Sequence, residues 1–456
     1  MLEKLHMISR ELDQVIENHY NNNSSALLLT GARQVGKTVA IRKYAQKTKM
    51  KLVEINFYED ELAHNIFVGA QNANDVLLRI SAHTRQRLEP GKTLIFFDEV
   101  QKYPDVVTWI KFLVAEGSYR YALSGSLLGV EMKDIRSIPV GSLAVAEVYP
   151  LTLKEFSQAI GVSDIVLESI HNAWVQRKPV DKVIHDGMLR VVGLYLLVGG
   201  MPAVVQTYIE TNDMYAVRAK QEEILKLYRW DIAQYDPDNK LYLDEIFELI
   251  PSELNAKNKR FILKDLNKHR VFARHENGFI WLRDAGVALP TYNVEEPRVP
   301  LRLNEQRNLF KLFQNDVGLL AAQYAREITM QILTGQVNIN YGAIYENLVA
   351  QELKAQGRSL YYFNSKKQGE VDFLMEKNCF VLPIEVKSGK DYHRHSALTN
   401  LLSENEYNIR EALVLSNGNI EQQSKVLYAP IYMTMFFDNT CSQEAMHYVL
   451  NMQGLR

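Results

Sequence analysis

The chain has 456 residues, of which 47% are hydrophobic and 23% charged, and its formal net charge is −2. This length predicts two to four domains, and the small charge excludes a global attraction to nucleic acid, which would instead need local basic patches. The two cysteines exclude a disulfide framework and favour a reducing compartment. We find no signal peptide and no apolar run of membrane-spanning length, so we expect a cytoplasmic protein without membrane partners.

Between residues 24 and 152, short apolar runs alternate with amphipathic stretches, a pattern typical of a parallel α/β sheet. Each run has the length and composition of a buried strand. The five predicted strands are 26–30, 51–57, 93–100, 119–126 and 144–152. We therefore predict an α/β domain over residues 1–152, with a helix before the sheet.

The first predicted strand leads directly into GARQVGKT, residues 31–38, and a helical pattern follows. This stretch matches G-x4-G-K-[ST], in which a glycine-rich loop and a helix N-terminus cradle phosphates. Gly31 and Gly36 would let the loop curl. Lys37 would reach the β- and γ-phosphates of ATP, and Thr38 would hold Mg²⁺. The remaining residues of the predicted ATP-binding loop are Ala32, Arg33, Gln34 and Val35.

Two acidic residues, Asp98 and Glu99, close the third predicted strand. The carboxyl ends of strands are where ligands bind in open α/β sheets. Asp98 would position the Mg²⁺ shell, and Glu99 would orient or deprotonate the attacking water. Ser124, at the end of the next strand, would contact the γ-phosphate or the water, although a simple turn is an alternative. The pattern thus predicts a P-loop ATPase core, RecA- or AAA-like, that uses ATP and Mg²⁺.

The rest of the chain divides by pattern. Residues 153–235 are helical in pattern, and residues 236–300 combine short helices with an apolar strand, an order similar to a winged helix. The Pro-rich stretch 295–301 predicts a linker. A helix at 341–356 precedes strands at 360–364, 370–376, 380–388 and 411–416, which predicts a second α/β domain.

These segments, with PLTLKEF (150–156) and YLLVGGMPAVV (195–205), resemble the prokaryotic family of AAA-type ATPases that carry a C-terminal domain of unknown function. The likeness covers nearly the whole chain. It implies four regions: an ATPase core (1–152), a helical lid (153–235), a winged-helix-like segment (236–300) and a nuclease-like domain with connecting helices (301–456).

The chain departs from this family just before the last core strand. Many relatives carry Gly-Arg where this chain has Gly141-Ser142. If that arginine acts on the γ-phosphate, its role here passes to another residue, such as Arg136 or Arg120, or is absent. AAA relatives often form rings, so a homo-oligomer is compatible with the resemblance, but the sequence does not show one.

An acidic pair marks the last domain. Asp372 lies in one apolar strand, and Glu385 and Lys387 lie at the end of the next. A buried carboxylate is costly unless it is paired or bound to metal, and Mg²⁺ prefers oxygen ligands. We predict a Mg²⁺ site formed by Asp372 and Glu385, with Glu346 on the preceding helix as a further ligand. Lys387 would polarise a phosphate or help to activate water.

This arrangement resembles the PD-(D/E)xK restriction-endonuclease-like fold, with Val371-Asp372 in place of Pro-Asp. Two simpler interpretations stay open. Glu385 and Lys387 could form an ion pair, or the domain could be a nuclease remnant that only binds DNA or a partner.

Basic residues cluster at 257–274, where they would bind DNA phosphates without recognising sequence, although a solvated helix face is the alternative. The sequence as a whole predicts an ATP-binding, ATP-hydrolysing protein that acts on or near DNA through a Mg²⁺-dependent nuclease-like domain. The alternative is a nucleotide-switched sensor or scaffold with slow hydrolysis and an inactive C-terminal domain. A helicase or translocase has less support, because no further helicase motif is present.

Overall fold

The computed structural model describes residues 8–126, 141–235, 240–256, 279, 281–324, 342–377 and 379–437. Its N-terminal part contains a five-stranded sheet with the order β2-β3-β4-β1-β5, in which all neighbouring strands are parallel. The strands are β1 (Ala26–Thr30), β2 (Lys51–Asn56), β3 (Thr93–Asp98), β4 (Arg120–Ser124) and β5 (Leu143–Glu147). The parallel α/β sheet predicted from the apolar runs is confirmed.

Helices cover both faces of this sheet, as expected for parallel strands that are buried on both sides. They are α1 (Glu11–Asn22), α2 (Lys37–Thr48), α3 (Ala73–Thr84) and α4 (Asp105–Glu116). All six residues of β3 are buried. Because the strands are parallel, their carboxyl ends share one edge, where the loop 31–36 leads from β1 into α2.

The middle region is helical. Its helices are α5 (Leu153–Ala159), α6 (Asp164–Gln176), α7 (Lys182–Val198), α8 (Pro202–Thr211), α9 (Met214–Tyr235) and α10 (Lys240–Asn255). A capping box starts α5, because Thr152 and Glu155 each accept a hydrogen bond from the other's backbone N–H. Between α7 and α8, Gly200 packs so tightly that a Cβ would overlap the carbonyl of Leu151.

The C-terminal part contains an eight-stranded mixed sheet with the order β12-β13-β11-β10-β9-β8-β6-β7. Its strands are β6 (Ala288–Val294), β7 (Glu305–Gln314), β8 (Tyr361–Ser365), β9 (Gly369–Lys377), β10 (Phe380–Val386), β11 (Ala412–Ser416), β12 (Glu421–Gln423) and β13 (Val426–Pro430). The accompanying helices are α11 (Val317–Ala322), α12 (Gly342–Ala355) and α13 (Ser396–Ser403). A second sheet-containing α/β region is therefore present, as the sequence predicts.

This sheet begins earlier in the chain than the predicted boundary after residue 300. β6 pairs in parallel with β8, a strand remote in sequence, and antiparallel with β7. The Pro-rich stretch 295–301 therefore connects two strands of one sheet and does not separate two domains. In the rest of the winged-helix-like segment, residues 240–256 form α10 and its end, whereas the basic stretch 257–274 lies outside the described residues, and the winged-helix-like order stays a prediction.

Buried polar side chains join the C-terminal region to the lid. Glu352 on α12 is fully buried and accepts a hydrogen bond of 2.8 Å from the backbone N–H of Leu153. Asp316, at the start of α11, accepts one of 2.6 Å from Gly200 N–H. One hydrophobic core cluster also runs from the five-stranded sheet through the middle helices to α12. The two sheets are therefore joined by a continuous interior.

Replacing Glu352 by glutamine tests the cost of this buried acid. Burial raises the pKa of the Glu352 carboxyl from 4.5 to about 8. The folded protein then keeps a proton that the unfolded chain releases, so stability falls by about 1.4 kcal/mol per pH unit between those two values. We expect Glu352→Gln to remove this slope, leaving stability near pH 4.5 almost unchanged and raising it at pH 8. Thermal unfolding of both proteins between pH 4.5 and pH 8 measures this difference in pH dependence.

The matched control is Glu168→Gln on the exposed surface of α6, which should keep the wild-type pH dependence. An unchanged slope in Glu352→Gln would show that Glu352 does not titrate in this window.

Among the described residues, no single helix has the length and apolar composition needed to span a membrane. Only when α7 and α8 are taken together are that length and composition met, and these two helices are bent by 118° from each other.

Candidate functional site

The loop between β1 and α2 has the backbone that its two glycines predict. Gly31 has a φ of +126° and approaches Val148 so closely that a Cβ would overlap its carbonyl oxygen. Gly36 has a φ of +99° and caps α2 in the left-handed conformation. A residue with a Cβ tolerates neither position well. The loop therefore curls back against the end of β5.

Lys37 is folded back onto this loop. Its ammonium donates hydrogen bonds to the carbonyls of Gly31 (2.9 Å) and Ala32 (2.7 Å), and only 6% of the residue is exposed. Burial lowers the pKa of the Lys37 ammonium to about 8, although the nearby carboxylates of Glu99 and Asp98 oppose that shift. The ammonium stays charged at neutral pH, which suits it to bind phosphate.

Asp98 is the centre of a hydrogen-bonded cluster at the carboxyl edge of the sheet. Its carboxylate accepts hydrogen bonds from the Thr38 hydroxyl (3.1 Å), the Ser124 hydroxyl and the backbone N–H of Glu99 (3.1 Å). Burial raises the pKa of this carboxyl. The structure thus brings together Thr38, Asp98 and Ser124, which the sequence places on three separate segments. Their oxygens are the donors that Mg²⁺ prefers.

Asn56 also belongs to this cluster, although no motif in the sequence indicated it. It ends β2 directly beside Asp98 in the strand register, and its amide lies 3.5 Å from the Asp98 carboxylate. The available signal was its position as the last residue of a predicted strand at the ligand-binding edge.

Glu99 sits in the left-handed region, with a φ of +55°. A residue with a Cβ in this region costs about 1–2 kcal/mol, and such conformations cluster at functional sites. The side-chain amide of Gln101 donates a hydrogen bond to the Glu99 carboxylate and contacts the Ser126 hydroxyl at 3.2 Å. Gln101, also missed in the sequence, therefore fixes the orientation of the predicted water-activating acid.

The loop 31–38 is also held by contacts with the segment before α1 and with α9. The Arg10 guanidinium, just before α1, donates to the carbonyls of Val35 (3.1 Å) and Tyr149 (2.8 Å) and pairs with Glu155 at 3.0 Å. Arg33 pairs with Asp231 on α9 at 2.8 Å. No pattern in the sequence links these residues, because each contact joins distant segments.

Two arginines, Arg120 and Arg136, were predicted as candidates to contact the γ-phosphate. Arg120 begins β4, whereas Ser124 ends it at the nucleotide edge, so about 13 Å of strand separates the two ends. The Arg120 guanidinium instead donates to the Tyr44 hydroxyl at 2.7 Å. The suggestion that Arg120 reaches the phosphate from within the same chain is therefore wrong. Arg136 lies outside the described residues.

In the C-terminal sheet, Asp372 and Glu385 lie beside the last paired residues of β9 and β10. The Asp372 carboxylate accepts a hydrogen bond of 2.9 Å from Val386 N–H, and the Lys387 ammonium donates one of 2.6 Å to Glu385 Oε1. Burial, and secondly the negative charge of Asp372, raise the pKa of the Glu385 carboxyl to about 8. The two predicted carboxylates are therefore neighbours.

Glu346 on α12 is buried near the ammonium of Lys311, a cation that no motif in the sequence indicated. The fully buried Lys311 on β7 pairs with Glu370 at 2.6 Å, and its ammonium lies 4.0 Å from the Glu346 carboxylate. Within the described ranges, no three His, Cys, Asp or Glu side chains are grouped closely enough to hold a metal ion. The metal ligands predicted here stay a prediction, with Asp372 and Glu385 as its closest pair.

Three segments of the chain match known protein-family models. Residues 23–157 match the family model described as an AAA domain. The N-terminal region, with its phosphate-loop motif and parallel sheet, is therefore similar to AAA domains. This confirms the AAA-type part of the resemblance. Residues 191–329 and 341–433 match two models described as domains of unknown function, DUF8612 and DUF4143. The restriction-endonuclease-like fold predicted for the C-terminal domain stays a prediction.

Two solved structures are similar to this chain at low sequence identity. A Walker-type ATPase of Pyrococcus abyssi is 12% identical, with a TM-score of 0.42 over 70% of this chain and 96% of that one. A RuvB variant of Thermotoga maritima is 13% identical, with a TM-score of 0.28 over 64% of this chain and 89% of that one. No curated protein matches the chain.

Proposed function

We propose that the protein hydrolyses ATP at the loop 31–38 and uses the nucleotide to control a Mg²⁺-dependent site in its C-terminal domain that acts on DNA phosphodiesters. The hydrogen-bonded cluster of Thr38, Asp98 and Ser124 beside the Lys37 ammonium carries the ATPase half of this proposal. Thr38 and Asp98 would hold Mg²⁺, and Lys37 would contact the β- and γ-phosphates. Glu99, oriented by Gln101, would take the proton of the attacking water.

Contacts on the outer side of the loop support control by nucleotide. Gly286, in the turn before β6, lies so close to the loop that a Cβ there would come within 2.9 Å of Ala32 N. The Tyr228 hydroxyl on α9 donates to the Arg33 carbonyl at 3.3 Å. A change in the loop conformation on nucleotide binding would therefore alter its contacts with both the lid and the C-terminal sheet.

The test of the ATPase is phosphate release by the purified chain in ATP and Mg²⁺ under steady-state conditions. Turnover should require Mg²⁺ and should be unaffected by Lys111→Ala, an exposed control on α4. A chain that binds ATP but releases no phosphate over many hours would overturn hydrolysis while leaving nucleotide binding in place.

A cation fits the C-terminal pair by its donor chemistry. Glu385 is buried, and its Oε2 atom has no hydrogen-bond partner among the residues that the structure describes. A buried carboxylate oxygen of this kind is costly unless a cation or donor satisfies it. Asp372 and Glu385 would hold the ion, which would neutralise both carboxylates and polarise a phosphodiester when bound. Lys387 would lie beside the phosphate.

Replacing Asp372 by asparagine tests this second site. We expect the wild type to gain thermal stability with Mg²⁺ or Mn²⁺ in the absence of nucleotide, since a ligand of the folded state stabilises it. Asp372→Asn should bind the ion about 10- to 100-fold more weakly and lose cleavage of plasmid, linear, branched and single-stranded DNA. Asp391→Asn, an exposed change, is the control.

Equal metal-dependent stabilisation of Asp372→Asn and wild type would overturn the metal site. A second function follows if neither protein cleaves DNA. Because lid and C-terminal turn both contact the loop, the chain would then be a nucleotide-switched sensor or scaffold. Very slow hydrolysis with a nucleotide-dependent change in assembly state, measured by light scattering, would support that function.

A further inference from the structure

Arg33, the third residue of the loop, bridges the nucleotide site and the lid. Its guanidinium pairs with the Asp231 carboxylate at 2.8 Å, and the two side chains are 24% and 8% exposed. The guanidinium also lies 5.9 Å from the ring centre of Tyr58, within cation–π range. The contacts of Arg33 therefore place a mostly buried cation at the side of the loop that faces α9.

The charges around Arg33 show which space it faces. Its positive charge is one of the influences on Lys37, whose ammonium would contact the β- and γ-phosphates. Burial raises the pKa of the Asp231 carboxyl to about 6; Arg33 lowers that pKa, and the Glu99 carboxylate raises it. Arg33 and Asp231 therefore lie within electrostatic reach of the groups that would contact the γ-phosphate and its attacking water.

We propose that Arg33 is a catalytic residue, a γ-phosphate-binding arginine supplied by the loop itself, and that Asp231 holds it on the lid until ATP enters. This role rests on the proposed ATPase function. It would supply the cation that Gly141-Ser142 lacks and that Arg120 cannot provide from the far end of β4.

An incoming triphosphate would compete with Asp231 for the guanidinium. Guanidinium binds phosphate and carboxylate with the same paired N–H geometry, and the triphosphate carries more negative charge than one carboxylate. Transfer of Arg33 from Asp231 to the γ-phosphate would also break an ion pair between α9 and the loop. The hydrogen bond from the Tyr228 hydroxyl to the Arg33 carbonyl would be unaffected by that transfer.

In hydrolysis, the water oxygen forms a bond to the γ-phosphorus as the bond to the β–γ bridging oxygen breaks. The electron pair of that bond leaves with ADP, and the water proton passes to Glu99. Negative charge develops on the transferring phosphoryl group and the bridging oxygen, where a guanidinium stabilises it more in the transition state than in bound ATP. Arg33 should therefore affect turnover far more than ATP affinity.

The experiment compares wild type with Arg33→Ala, Arg33→Lys, Asp231→Asn and the exposed control Arg87→Ala. Turnover is measured by phosphate release, and affinity by titration with a fluorescent ATP analogue. We expect Arg33→Ala to lower kcat on the order of a thousandfold, with ATP affinity within a few fold. Arg33→Lys should recover only part of the rate. Asp231→Asn should equal or exceed wild type, because it releases Arg33.

A second readout does not depend on turnover. Wild type should trap ADP with aluminium fluoride, an analogue of the transferring phosphoryl group, and Arg33→Ala should not. If Arg33→Ala fails to fold, Arg33→Lys and Asp231→Asn still decide the matter. Full turnover and full trapping by Arg33→Ala, or by Arg33→Lys if the alanine variant does not fold, would overturn the catalytic role of Arg33. A loss of turnover in Asp231→Asn as large as in Arg33→Ala would overturn the release of Arg33 from Asp231. A wild type without turnover would instead overturn the ATPase function itself.

Discussion

Lys37→Ala is expected to weaken ATP binding about 100-fold or more. The Lys37 ammonium is poised on the carbonyls of Gly31 and Ala32, and phosphate oxygens would replace those carbonyls as its partners. Each hydrogen bond to a charged group contributes about 1.5–3 kcal/mol, and every 1.4 kcal/mol is a tenfold change in affinity. Equilibrium titration with a fluorescent ATP analogue measures the loss.

The pH dependence of the same titration gives an independent check. Because burial lowers the pKa of Lys37 to about 8, the Lys37 side chain in the empty site loses its positive charge as the pH rises above that value. Wild-type affinity should therefore fall above pH 8, whereas the residual affinity of Lys37→Ala should not follow that titration. Binding by Lys37→Ala equal to that of Lys111→Ala would show that the loop does not hold the triphosphate.

Glu99→Gln is expected to bind ATP normally and to lower kcat by a factor of about 100 to 10,000, the usual contribution of a general base. Glutamine preserves the size of the side chain and one acceptor oxygen, so the hydrogen bond from Gln101 survives in one amide orientation. What it loses is the ability to accept the proton of water. Single-turnover phosphate release, with bound ATP measured separately, distinguishes this outcome from a loss of binding.

The control for Glu99→Gln is Glu61→Gln, an exposed change outside the Asp98 cluster. Wild-type turnover in Glu99→Gln would remove Glu99 from the water-activating role. Weak ATP binding in this variant would instead indicate that Glu99 supports the loop.

The sequence was most informative where function depends on local backbone. The loop 31–38 needs glycine at two positions of positive φ, a lysine and a hydroxyl within eight residues, so one short pattern specifies all of them. The five strands were equally accessible, since parallel strands are buried on both faces and consist of apolar runs. Asp98 followed from its place at the end of such a run.

The strand pairing of the C-terminal sheet could not be predicted from the sequence. The predicted helix and four strands after residue 341 occur in the predicted order, but β12 and β13 were not predicted, and β6 and β7 join the same sheet from before residue 315. A strand's partner is set by packing and hydrogen bonding across the fold, and no periodicity within β6 identifies β8 as its neighbour. The same holds for Lys311, whose burial beside Glu370 and Glu346 depends on that pairing.

The amino-acid sequence alone was therefore enough to locate the phosphate loop, the acidic end of β3 and the acidic pair at Asp372 and Glu385. Tertiary structure decided which partner each polar side chain has: Arg10 with Glu155, Glu352 with Leu153 N–H, and Arg33 with Asp231. The segments in each of these contacts lie more than 100 residues apart in the chain. The physical reason is that electrostatic and hydrogen-bond partners are chosen by distance in space and by burial, and folding sets both.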